Sequence, residues 1–239
     1  MALFKRGETS LYYEEFGSGY PLLLFAPGGM RSSIEFWHQS PFDPTARLAS
    51  NFRVIAMDQR NAGKSTAPLT ASDGWQTYAA DHLALLDHLG IARTHLLGGC
   101  IGSSYCLGLI QLAPQRISAA VLQNPIGLSE TNRELFRSMF DGWAGGLRPS
   151  HPEIGDDALK AFRERMYGGD FVFSVSRDFL KSVSTPLLIL AGADQYHPTA
   201  VAQEIAKLAP KAELVLRWKE ADAVDAAVEK VRSFLKANQ

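Results

Sequence analysis

Short apolar runs alternate along the chain with stretches whose apolar residues recur every three to four positions. That alternation predicts a mostly parallel β-sheet flanked by helices. LYYEEFG (11–17) reads as an early strand, turned by Gly17–Gly19 into YPLLLFAP (20–27), whose unbroken apolar run implies cover on both faces. FRVIAMD (52–58) is the next buried strand. DGWQTYAADHLALLDHLG (73–90) has Tyr78, Leu85, Leu86 and Leu89 at helical spacing, Asp73 near its start and Gly90 to close it.

Strand THLLGG (94–99), helix IGSSYCLGLIQLA (101–113) stopped by Pro114, and strand ISAAVLQN (117–124) follow. From about 125 to 184 the texture changes to short amphipathic pieces broken by Gly and Pro, such as RELFRSMFDGW and DALKAFRERMYG. These are expected to form a small helical lid inserted over one end of the sheet, within a single domain spanning 1–239. The alternation then resumes with PLLILAG (186–192), AVAQEIAKLA (200–209), AELVLRW (212–218) and DAAVEKVRSFLKA (225–237). Phe136, Phe140, Trp143, Tyr167, Phe171 and Phe173 would give the insertion an apolar underside, or serve as its own core.

At 239 residues, 46% hydrophobic and 21% charged, the chain can bury one large core. A formal net charge of −1 gives no field for nucleic acid or an anionic membrane. The N-terminus carries no apolar run of signal-peptide type, and no segment approaches the roughly 20 apolar residues of a membrane span. A cytoplasmic location and a small-molecule substrate are therefore expected, with no nucleic-acid or membrane partner; oligomeric state is open. Cys100 and Cys106 lie six apart on one helical stretch and point to different faces, so neither a disulfide nor a metal site is expected. No dinucleotide or phosphate-binding pattern implies a cofactor: GSG (17–19) precedes a strand instead of opening a helix.

The chemistry concentrates at GGCIG (98–102). A nucleophile on a sharp strand-to-helix turn needs neighbours without Cβ atoms, because such atoms would strike the adjoining strand and helix. Cys100 would then begin a helix, whose free N–H groups favour the thiolate. The alternative is a buried cysteine acting as a small apolar residue. APGGM (26–30) follows a buried strand. Beside the elbow, the amides of Gly29 and Ile101 would converge on a developing oxyanion, a contribution of roughly 3 kcal/mol per donor; by itself the stretch reads equally as a Pro-Gly turn.

Taken in order, these motifs resemble the α/β-hydrolase superfamily over essentially the whole chain. LLLFAPGG resembles its oxyanion strand and loop, with Pro27 where a His is usual. MDQRNAGKS (57–65) resembles its D-x-R-G-x-G-x-S turn, with Asn61 for the first Gly. HLLGGCIGS resembles the elbow, with cysteine for serine, and PLLILAGADQYHP the strand and loop that deliver the acid, in Asp194's position. The resemblance implies a catalytic His after the last strand, yet KEADAVDAAVEKVRSFLKANQ (219–239) contains none. Lys219, Glu220 and Asp222 occupy that shortened loop and read as solvated charges.

Among the six histidines, His82, His88 and His151 read as surface residues, His95 as a core residue of the elbow strand, and His38 as packed beside Phe36 and Trp37 or edging the pocket. His197 follows Asp194 by three residues, at the carboxyl end of a strand where open α/β sheets place their sites. It either pairs with Cys100, oriented by Asp194, or merely precedes the next helix. The leading expectation is a hydrolase of small esters, lactones or thioesters acting through a Cys100 thioester, with Asp194 and His197 completing the catalytic set. Its nucleophile resembles that of the Cys-His-Asp dienelactone hydrolases. Acyl transfer, as in hydroxyalkanoate synthases with a similar elbow, and a binding or sensor protein that has lost its base are the alternatives.

Overall fold

The computed structural model describes residues 2–239. Its eight strands are β1 (Ala2–Arg6), β2 (Thr9–Phe16), β3 (Tyr20–Phe25), β4 (Phe52–Met57), β5 (Thr94–Gly99), β6 (Ile117–Gln123), β7 (Leu187–Leu190) and β8 (Ala212–Val215). They form one sheet in the order β1-β2-β4-β3-β5-β6-β7-β8. The first two pairings, β1 with β2 and β2 with β4, are antiparallel, and every later pairing is parallel.

The helices are α1 (Pro44–Arg47), α2 (Trp75–His88), α3 (Ile101–Leu112), α4 (Arg133–Leu147), α5 (Asp156–Tyr167), α6 (Arg177–Ser182), α7 (Thr199–Leu208) and α8 (Val224–Ala237). Strands β3 to β7 are largely buried on both sides, as their apolar runs predict, while β8 at the edge is only partly covered. One apolar layer joins the sheet to α2 and α3 and continues into the residues of 125–184; the other lies against α8 around Trp37 and Trp218.

Strand β1 has no counterpart in the sequence reading. It is an edge strand with Lys5 and Arg6 exposed and only Leu3 and Phe4 large and apolar, so its pattern resembles a polar terminus. Phe4 stacks on His88 with ring centroids 4.7 Å apart.

His82 is a correction. It is fully buried on α2, stacked on Phe25 at 4.1 Å, with Nε2 2.7 Å from Gln59 Oε1. The helix face taken as polar meets Arg60, which donates to Asp81 at 2.8 Å; burial and Arg60 push His82 down to about 3, so it stays neutral. His38 is also corrected: it does not pack between aromatics but lies exposed, 2.7 Å from Asp43. His95 is a core residue beside Tyr20, and His88 is exposed. His151 is half-buried, near Glu153.

The turn after β4 shows why Asn serves where the resemblance expects Gly. Asn61 has φ 55°, a left-handed conformation Asn tolerates better than most residues, and its Oδ1 accepts from Ala67 N at 2.8 Å. Asn61→Ala is expected to cost about 1–3 kcal/mol in denaturant unfolding, by stranding that amide and putting at positive φ a residue that tolerates the left-handed region less well than Asn. Asn61→Gly should cost less.

Among the described residues no helix is long and apolar enough to cross a membrane, and no group of three or more His, Cys, Asp or Glu side chains converges as metal ligands do.

Candidate active site

Three loops leave the carboxyl ends of β3, β5 and β7 on the same side of the sheet, and each carries a piece of the site. The middle one is the elbow. Cys100 has φ 57° and ψ −119°, a conformation that costs a residue with a side chain on the order of 1–3 kcal/mol and persists only where the surroundings enforce it. Enforcement comes from the glycines. A Cβ on Gly98 would lie 2.1 Å from the Gly102 carbonyl oxygen, and one on Gly102 would lie 2.1 Å from that of Phe25. The turn is pinned by Cys100 N donating to Gln123 O at 2.8 Å and Ser103 Oγ donating to Gly98 O at 2.9 Å.

The loop after β7 brings Asp194 and His197. Asp194 accepts at Oδ1 from Tyr196 N at 2.9 Å and His197 N at 3.1 Å, and both its oxygens lie 2.8 Å from His197 Nδ1. The His197 side chain is 15% exposed, that of Asp194 50%. Nε2 is therefore turned inward, buried, and makes no aligned hydrogen bond with any other residue. Its neighbour is Cys100, and each shifts the other: the imidazole lowers the thiol and the thiol raises the imidazole. Such pairs are commonly loose before substrate binds and tighten with it.

The electrostatics follow. Burial alone pushes the Cys100 thiol up, but His197 and the backbone amides of Ile101 and Gly28 outweigh it, so the thiol ends below its ordinary value. Burial alone pushes His197 down, but Cys100 and Asp194 outweigh it and hold the imidazole above its ordinary value. Asp194 is lowered: its desolvation is exceeded by His197 and the amides of Tyr196 and His197. Cys106, buried among apolar residues, is raised well above an ordinary thiol. The two cysteines thus differ in the direction of their shifts.

The amides facing the sulfur are those of Ile101 and Gly28. Gly29, named from sequence with Ile101, is one residue further on at φ 60°, and a Cβ there would lie 2.5 Å from Met139 Sδ of α4. Helix α4 therefore covers this turn, and Arg31 Nη2 donates back to Gly142 O at 2.8 Å. Lys219, Glu220 and Asp222 lie away from the sulfur: Asp222 pairs with Arg217, and the loop is anchored by buried Trp218, whose Nε1 donates to Ala191 O at 2.7 Å.

Two supporting residues escaped the sequence reading. A Cβ on Gly192 would fall 2.2 Å from His197 Cβ, so this glycine makes room for the histidine. Asn132 is buried and donates from Nδ2 to Gly127 O and Gln195 O, both at 2.9 Å, tying the segment after β6 to the Asp194–His197 loop. The G-A-D spelling carried a faint signal for Gly192; nothing marked Asn132. Gly192→Ala is expected to displace His197 and cut turnover of a small ester by about tenfold or more, with the thermal midpoint changed far less than the rate. Rates and melting curves on one preparation check this.

The model of the alpha/beta hydrolase fold family matches residues 21–164. A proline iminopeptidase of Xylella fastidiosa is 30% identical over 173 residues, covering 67% of this chain and 52% of the relative. The dihydrolipoyllysine-residue acetyltransferase component of an acetoin cleaving system of Pseudomonas putida is 41% identical over 165 residues, covering 67% of this chain and 42% of the relative. The chain thus spans about half the length of the curated relatives it matches. Among solved structures, the meta-cleavage product hydrolase CumD superposes with a TM-score of 0.74 at 18% identity, covering 99% of this chain and 98% of that one, a likeness of fold.

Proposed function

The chain belongs to the α/β-hydrolase fold family, and from that premise we propose that it is a hydrolase of small esters, lactones or thioesters with Cys100 as its nucleophile. The observation that supports this most is the Cys100–His197–Asp194 juxtaposition: a strained thiol facing a buried imidazole whose other nitrogen is held by a carboxylate. The usual base position after β8 is empty of histidine, and the loop after β7 supplies one instead.

The reaction proceeds in two steps. The Cys100 thiolate attacks the acyl carbonyl carbon, with the amides of Ile101 and Gly28 or Gly29 receiving the negative charge on oxygen. The C–S bond forms, the bond to the leaving group breaks, and the leaving group takes the proton of the His197 imidazolium. Neutral His197 then accepts a proton from water as its oxygen attacks the thioester. The C–O bond forms, the C–S bond breaks, and the thiolate–imidazolium pair is restored. Asp194 keeps the Nδ1–H oriented throughout. The insertion at 125–184 serves as a lid, with Met139 of α4 over the oxyanion turn.

Incubation with 4-nitrophenyl acetate should release 4-nitrophenolate with a burst equal to the enzyme concentration, and peptide mass spectrometry should find the acetyl group on Cys100. Release without an acyl group on Cys100, in the quenched parent and in His197→Ala alike, would sink the reading.

Acyl transfer is the second reading, favoured by the 41% identity to an acetyltransferase component. It predicts that added thiols compete with water for the acyl-enzyme; the ratio of new thioester to acid decides between the two.

A further inference from the structure

Three tyrosine hydroxyls lie buried without an aligned hydrogen-bond partner, Tyr78 of α2, Tyr105 of α3 and Tyr167 at the end of α5, the last two beside Cys100. None of the three residues is more than 2% exposed. Tyr78 and Tyr105 stack with ring centroids 5.0 Å apart, and Trp75 stands edge-on to Tyr105 and Tyr167 at 5.4 and 6.4 Å. Even a bond between the Tyr78 and Tyr105 hydroxyls would occupy only one of the three donors.

An orphaned buried hydroxyl costs about 1–3 kcal/mol, and native interiors leave few of them. Three together call for an occupant. Burial first, and then Tyr78 and Cys100, push the Tyr105 and Tyr167 hydroxyls up, so they remain protonated donors within the electrostatic reach of the nucleophile.

Two features define what they would bind. The cation beside Tyr78 is Arg60, 5.8 Å from its ring, and it is already spent on Asp81 at 2.8 Å and Asp73 at 3.4 Å. A carboxylate buried beside Tyr78 would find that counter-charge already taken, whereas an uncharged carbonyl oxygen needs only donors. The second feature is position. His197 leaves β7 and must protonate the leaving group, while Tyr105 stands edge-on to Phe25 at the end of β3, which flanks β5 on the side away from β6 and β7, and Tyr78 stacks on Tyr105. That flank is left for the acyl chain.

We propose that Tyr78, Tyr105 and Tyr167 form a subsite for a second, uncharged oxygen acceptor, a ketone or ester carbonyl, on the acyl half of the substrate. The assignment rests on Cys100 being the acyl nucleophile. Tyr167 belongs to the insertion, so the subsite is complete only when the insertion covers the sheet.

The test uses N-acetylcysteamine thioesters titrated calorimetrically into the Cys100→Ala protein, comparing 3-oxobutyryl with butyryl and 4-oxopentanoyl with pentanoyl. The expected result is about tenfold tighter binding of at least one oxo-acyl thioester than of its plain partner. Tyr105→Phe and Tyr167→Phe should each remove the preference and leave the plain thioester unaffected, and the succinyl thioester should bind no tighter than the butyryl one. Equal binding of oxo and plain chains, no binding of either, a preference that survives both Phe variants, or a preference for succinyl would overturn the proposal. Failure of the nucleophile reading shows separately, as absence of any acyl adduct on Cys100 when the parent protein meets the same thioesters.

Discussion

His197→Gln is expected to lower the steady-state turnover of a small activated ester by about 10³-fold while the protein still folds. The imidazole acts twice in the proposed cycle, as the acid that releases the leaving group and as the base that activates water. Glutamine matches much of its volume and fills neither role. Its loss also removes the largest favourable influence on the Cys100 thiolate, since burial by itself pushes that thiol up. Deacylation should suffer most, because attack on the thioester by water has no other base within reach. The acyl-enzyme should therefore accumulate: intact-protein mass spectrometry of the variant after brief exposure to 4-nitrophenyl acetate should find most chains acetylated. Equal steady-state rates in variant and parent would remove His197 from the mechanism.

Gly102→Ala is expected to destabilise the protein by about 3 kcal/mol or more, or to prevent its soluble accumulation. The new Cβ would fall 2.1 Å from the Phe25 carbonyl oxygen and 2.9 Å from its carbon, where β3 passes α3. Neither is the far end of a flexible side chain that can swing aside. Relief requires α3 to move off the sheet, and α3 carries Cys100 at its head. The same substitution at Gly146 provides the contrast: that glycine lies in α4 with nothing within 4 Å of a new Cβ. Gly146→Ala should stabilise by roughly 0.5–1 kcal/mol through helix propensity and a less flexible unfolded chain. Chemical denaturation of both variants reads the opposite signs.

These two residues mark how far the sequence could be read. The need for glycine at 98 and 102 follows from the sterics of a sharp turn, and glycine is a residue whose absence of a side chain is itself information. The positions of the buried strands along the chain were legible for a related reason: buried parallel strands are continuous apolar runs, which polar loops cannot imitate. Strand β1 was not, because an edge strand buries little and keeps its charges. His82 was misread because α2 buries polar side chains against Arg60, and a buried ion pair has the same letters as an exposed one.

The relation of His197 to Cys100 lies beyond sequence altogether. The two are 97 positions apart, and only the path of the loop after β7, held by Gly192 and Asn132, decides whether an imidazole faces a sulfur. Choosing between the amides of Gly28 and Gly29 has the same character: adjacent glycines look alike until the backbone assigns each N–H a direction.

The coupling also sets a pH dependence. A thiol lowered by folding contributes stability that is fully present above its unfolded-state pKa and is lost as pH falls through its folded-state pKa. An imidazole raised by folding contributes stability that is fully present below its unfolded-state pKa and is lost as pH rises through its folded-state pKa. The two contributions thus run in opposite directions with pH, and as coupled neighbours the two groups titrate as a unit.

The most direct measurement is the rate of Cys100 carboxamidomethylation by iodoacetamide as a function of pH, read by peptide mass spectrometry in the parent and in His197→Ala, with Cys106 in the same digests as the internal standard. A Cys100 midpoint below that of an ordinary thiol, moved upward by a unit or more in His197→Ala, and a Cys106 that stays unreactive until well above it, is the result predicted by a thiolate held by His197. A Cys100 that titrates as an ordinary thiol in both proteins would contradict it.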